Sequence, residues 1–138
     1  LMIDMYESPQ ELHSLLAFMR DAILQSHQDA EAAGHFTLNS GNNQAFPLAA
    51  ELPPPTPNSP PCKRHDLWGF CAAQEYTLIS PAFHDEFLFQ YQIPIFEKFG
   101  LVHYGCCEDL GEKIGMLRQL KNLRSIAVTP VANVRHCA

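Results

Sequence analysis

The chain has 138 residues, 46% of them hydrophobic, with nine basic and 15 acidic side chains giving a formal charge of −6. That length and balance support one modest core, exclude a disordered or fibrous polypeptide, and supply no basic stripe of the kind that holds a nucleic-acid backbone. No run approaches the roughly 20 apolar residues that span a bilayer and no leader pattern opens the chain, so a membrane partner is not expected and the cytoplasm is the default setting.

Taken in chain order, the first signal is Ser8-Pro9-Gln10-Glu11, a capping-box serine with glutamate three residues on and proline at the first helical position. Leu12, Leu15, Leu16, Met19 and Ile23 then recur at helical spacing and predict one buried face. Gly34 is the expected C-cap. The alternation His35-Phe36-Thr37-Leu38-Asn39 predicts a short strand. From Ser40 to Asp66 periodicity is lost, and six prolines between Pro53 and Pro61 exclude a helix or sheet interior, so residues 40–66 form a Pro-rich loop or insertion, either a lid or a locally disordered stretch.

Ser80-Pro81 repeats the helix-start pattern, and Phe83, Phe87, Leu88, Tyr91 and Ile95 form the next buried stripe, with a kink expected at Pro94 and an end at Gly100. Leu101-Val102-His103-Tyr104 is a predicted strand, Leu110 to Lys121 a helix burying Ile114, Leu117 and Leu120, and Ser125-Ile126-Ala127-Val128-Thr129 a strand, with a further helix near Ala132. Alternating helices and short strands indicate α/β architecture with parallel strands. The fold expected is a partial (β/α)8 TIM barrel. A whole barrel takes about 250 residues, so about three of its eight βα units fit here, and the chain reads as cut at both ends. An open doubly wound sheet is the alternative, without the Gly-rich phosphate loop of its dinucleotide-binding form.

In a parallel barrel the chemistry sits on the loops after the strands. His103-Tyr104-Gly105-Cys106-Cys107-Glu108 falls there and places an imidazole, two thiols and a carboxylate within six residues. These are ligand types for zinc, which holds a thiol as its nucleophilic thiolate. His103, Cys106 and Cys107 are therefore candidate metal ligands, one thiol with His103 being the simpler arrangement for adjacent cysteines. A buried thiol pair with a backbone-bonded His103 is the plain structural alternative. Asp66 and Trp68, closing the long loop, are candidate pocket residues or else a turn cap and a core ring. His13 and His27 are expected on the surface, and Cys62 and Cys71 have no zinc-knuckle spacing. The five cysteines, an odd number, argue against a disulfide framework.

Asp66-Leu67-Trp68-Gly69, Ile79-Ser80-Pro81, Phe87, Tyr91, Pro94 and Phe99-Gly100-Leu101 before His103 resemble, in order and spacing, the second half of the uroporphyrinogen decarboxylase superfamily. Glu7-Ser8-Pro9 with Leu15-Leu16 looks like the helix preceding that region. No single motif is unique, and the Pro-rich insertion is not covered. The superfamily also holds cobamide-dependent methyltransferases, and the resemblance implies a barrel with a cleft at the strand ends. Leu67 stands where the decarboxylases carry a substrate-binding serine. The methyltransferase branch has a His-x-Cys zinc pair at the strand end; here His103 is followed by thiols three and four residues on. The leading expectation is methyl transfer from a corrinoid-bearing partner protein to a zinc-activated thiol, with Asp66, Trp68, Tyr91 and Glu108 contacting a small-molecule substrate. A metal-free decarboxylase of uroporphyrinogen or a related polycarboxylate, as in porphyrin biosynthesis, is the second, and an inactive or partner-binding fragment the third. The 138 residues alone are not expected to be active.

Overall fold

The computed structural model describes residues 1–38, 49–54, 58 and 60–137. A single helical turn, α1 (Asp4–Glu7), leads into the long helix α2 (Pro9–Ala32). Pro9 opens α2 because its missing N–H would have no acceptor there. Ser8 makes no side-chain cap hydrogen bond, so the expected capping box is replaced by backbone closure, the Leu12 N–H donating to the Ser8 carbonyl. At the other end Gly34, at φ +69°, lets the Gly34 and His35 N–H groups turn back onto the carbonyls of Glu31 and Ala30. This is the Schellman closure that glycine favours.

Residues 35–38 form no strand, correcting the expectation for His35–Asn39; Asn39 itself lies outside the described residues, as does most of the first half of the Pro-rich loop. The amide of Cys62 bonds the carbonyl of Phe36 there, a single link rather than a ladder. The sheet begins later. A 3-10 turn (Arg64–Asp66) delivers the chain into β1 (Trp68–Cys71), a strand that the sequence conceals because Gly69 interrupts a very short apolar run.

A 3-10 turn at Gln74–Tyr76 and the N-cap Ser80, whose hydroxyl accepts from the Phe83 N–H, precede a helical segment from Pro81 to Phe96. It consists of α3 (Pro81–His84), a π turn (Asp85–Phe89) and α4 (Gln90–Phe96), with Pro94 inside α4. β2 (Leu101–Tyr104) follows as expected. The third helix is shorter than its spacing predicts: a 3-10 turn (Gly111–Lys113) and one α turn, α5 (Ile114–Leu117). β3 is Leu123–Ile126, two residues earlier than expected, and α6 (Val134–Cys137) ends the described chain.

The three strands are parallel, in the order β1-β2-β3. Phe70 pairs with His103 and Cys71 with Tyr104; across β2–β3 His103 pairs with Ser125 and Tyr104 with Ile126, after a register shift at Val102/His103. Side chains alternate across a sheet. Cys71, Val102 and Tyr104 accordingly join a core with Phe87 and Phe89 from the first crossover and Leu110, Leu117 and Leu120 from the second. Both crossovers thus cover the same face. Phe70, His103 and Ser125 form a row on the other. α2 packs on α4 and the π turn, but only Leu12 of its predicted stripe is buried; Leu16 is partly covered, and Leu15, Met19 and Ile23 are exposed. Among the described residues, no helix is long and apolar enough to cross a membrane.

Candidate functional site at the strand ends

The loops after β1 and β2 are locked together by one carboxylate. Glu108 is buried, and its two oxygens accept the N–H groups of Ala73 and Cys106, each at 2.8 Å. Burial pushes its carboxyl up, but the amide donors of Ala73, Glu108, Cys106 and Cys107 outweigh it and hold the group below its ordinary value. Gly105, at φ +100°, makes the turn possible, and its N–H donates to the Cys71 carbonyl at 2.7 Å. Glu108 therefore builds the loop, with its oxygens turned to the backbone.

On that loop Cys106 is half-buried and Cys107 exposed, with sulfurs 3.5 Å apart. Hydrogen bonding to Cys107, followed by burial, raises the Cys106 thiol. His103 lies earlier, within β2. Its Nδ1 is 2.8 Å from the Ser125 hydroxyl, its ring stacks on Phe70, and burial lowers its pKa. Zinc fits this arrangement in part. Two sulfurs 3.5 Å apart, each at a zinc–sulfur distance of about 2.3 Å, would subtend roughly 100° at the ion, near the tetrahedral angle. Yet no three His, Cys, Asp or Glu side chains among the described residues converge as a metal set. The two thiols are the candidate ligands that the described residues bring into contact.

The remaining sequence candidates are spread over the fold. Asp66 precedes β1, at the opposite end of the sheet, where one oxygen accepts the Lys63 N–H at 3.0 Å and the other faces His65. Trp68 opens β1 opposite Leu101. Tyr91 belongs to the helical layer, its hydroxyl 2.7 Å from His13 Nδ1. There it helps line an apolar cleft of about 360 Å³ with Leu16, Met19, Ile23, Leu88 and Ile95. The structure brings Cys106, Cys107 and Glu108 together and leaves Asp66, Trp68 and Tyr91 apart from them.

Behind the rim lies a buried polar chain that the sequence reading missed. Tyr104 donates its hydroxyl to Gln92 Oε1 at 2.8 Å, so His84 Nε2, 2.9 Å away, is the donor to that hydroxyl. His84 Nδ1 is then an unprotonated acceptor, buried without a partner among the described residues. Lys113, also buried, donates to the Tyr76 carbonyl, and burial lowers its pKa against the opposing pull of Glu108 and Asp109. The available signal was positional: His84 falls on the helical face of Phe87, Leu88 and Tyr91, where a polar side chain needs a partner. The two histidines read as surface groups are also packed. His13 stacks on Phe87, and His27 lies edge-on to Phe36 and Phe99 with its pKa lowered by burial.

Comparison with protein-family models, with curated proteins and with solved structures gives no match for this chain.

Proposed function

We propose that this chain contributes three βα units to a uroporphyrinogen decarboxylase-like (β/α)8 barrel whose thiol-bearing rim serves methyl transfer from a corrinoid carrier to a thiol. The observation that carries the reading is the common side of both crossovers. Phe87 and Phe89 from one, and Leu117 and Leu120 from the other, pack on the same strand face. A barrel places all of its helices outside, so successive crossovers on one face are what it requires, as they are within one βαβαβ half of a doubly wound sheet. On that reading Phe70, His103 and Ser125 face the barrel interior, and Cys106–Cys107 stands on the catalytic rim.

Zinc, when bound, would stabilise a thiolate at neutral pH. Cys106 and Cys107 would be the ligands from this loop, with further ligands from elsewhere. The chain's own part is positional: Glu108 and Gly105 fix the loop, and the Ser125 hydroxyl orients the His103 ring. The test uses the full-length protein, zinc content by elemental analysis, and methylation of a small alkylthiol by methylcobalamin. Stoichiometric zinc and methylation, both lost in C106S/C107S, are expected. A metal-free protein that methylates no thiol but releases carbon dioxide from uroporphyrinogen would overturn the reading in favour of the decarboxylase.

A further inference from the structure

We infer that Cys106–Cys107 is a dithiol exchange site for low-molecular-weight disulfides, with Cys107 as the attacking thiol and Cys106 as the resolving one. Among the described residues this is the one thiol–thiol contact, 3.5 Å between sulfurs, on the loop that Glu108 and Gly105 fix. Exposure divides the roles. Cys107 is open to solvent, and Cys106 is partly covered beside it. Cys71 is buried, and Cys62 and Cys137 are half-buried, with no thiol neighbour among the described residues.

The reaction balances with the disulfide RSSR as oxidant. The Cys107 thiolate attacks one sulfur of RSSR, breaks the S–S bond and expels RS⁻, which takes up the proton that Cys107 gave up. The Cys106 thiolate then attacks the Cys107 sulfur of the mixed disulfide and expels the second RS⁻, which takes up the proton lost by Cys106. Two cysteine thiols are oxidised to one Cys106–Cys107 disulfide, and RSSR is reduced to two RSH.

Adjacency makes the product reversible. Consecutive Cα atoms lie no more than about 3.8 Å apart. Ordinary disulfides span roughly 4.4–6.8 Å between Cα atoms. The ring is therefore strained and returns readily to the dithiol, as regulatory disulfides do. The consequence is a switch: the oxidised pair has no thiolates to offer an electrophile or a soft ion. The inference needs neither the barrel nor zinc, and its readout is independent of methyl transfer.

The experiment treats the full-length protein with oxidised glutathione, quenches in acid, alkylates the remaining thiols in denaturant and maps the products by mass spectrometry. The tryptic peptide 99–113 contains Cys106 and Cys107 and no other cysteine. The expected product is that peptide two hydrogens lighter, unalkylated, and restored by dithiothreitol. C106S, which keeps the backbone N–H bonded to Glu108, should instead accumulate glutathione on Cys107. Wild-type protein that retains glutathione on this peptide, or leaves both thiols alkylatable while Cys62 or Cys137 reacts, would overturn the inference. Equal glutathionylation of Cys106 in C107S would overturn the assignment of roles.

Discussion

His84 shows how one buried side chain ties stability to pH. It is fully buried against Tyr76 and Tyr104, and its pKa is lowered from 6.5 to about 4, chiefly by burial and next by the Lys113 charge, with Glu108 and Asp85 opposing. The folded protein keeps the ring neutral where the unfolded chain takes up a proton. The unfolded state therefore binds more protons between those values, and stability falls as the pH drops from about 6.5 to about 4. The full effect is on the order of 3 kcal/mol. Urea unfolding across this window should show a flatter acid limb for His84→Gln than for wild type; parallel limbs would show that His84 is not the titrating group. Glu108 acts differently, through amides rather than through a titrating ring. Glu108→Ala leaves the buried N–H groups of Ala73 and Cys106 without an acceptor and should cost about 3 kcal/mol. Glu108→Gln, which turns an NH2 toward one donor, should recover only part of that in the same unfolding assay.

Connections between elements rest on a few such fixtures. Arg64, nearly buried, is held by Glu31 at the end of α2 through its Nε at 2.8 Å and its backbone N–H at 3.0 Å. This joins the long helix to the turn that feeds β1. Glu31→Ala should lower stability by about 2 kcal/mol, and amide exchange should quicken first at residues 30–35 and 63–67. Exchange that quickens uniformly would argue against a local tie. At Gly105 the φ of +100° suits glycine, and a Cβ there would stand 2.6 Å from Leu110 Cδ1. Gly105→Ala should therefore destabilise by roughly 2 kcal/mol and loosen the Cys106–Cys107 contact, seen as faster alkylation of Cys106. Unchanged alkylation would mean that the turn does not set the thiol geometry.

At the scale of the molecule, one sheet face carries both crossovers while α2 leaves Leu15, Phe18, Met19 and Ile23 exposed. Phe18 is 71% exposed and Leu15 53%. An apolar helix face of this kind, beside a small open sheet, favours association. The isolated 138-residue chain should sediment as a concentration-dependent mixture, and Leu15→Ser with Phe18→Ser should shift it toward monomer. A monodisperse monomer with a sharp cooperative melt would show that the three-strand unit is self-sufficient and would weaken the barrel reading.

Much of this was legible from local chemistry. Pro81 with Ser80, Gly34, the Phe83–Ile95 stripe and β2 rest on interactions within a few residues of one another, so spacing and residue type suffice to reveal them, and the α/β class follows from the alternation of such elements. The thiol pair and its carboxylate were legible as a candidate site for the same reason, being consecutive in the chain. What sequence left undetermined depends on separation. β1 is recognisable as a strand only through its pairing with Leu101–Tyr104, and His35–Leu38 has a strand's alternation without forming one. The parallel register alone sets His103 beside Ser125 rather than among the thiols, and burial alone draws His84, Tyr104 and Gln92 into one chain. Tertiary structure also gave Glu108 its role, because the second amide it holds belongs to Ala73, 35 residues away. A carboxylate's partners across such a distance are fixed by how the strands pack, which no local pattern encodes.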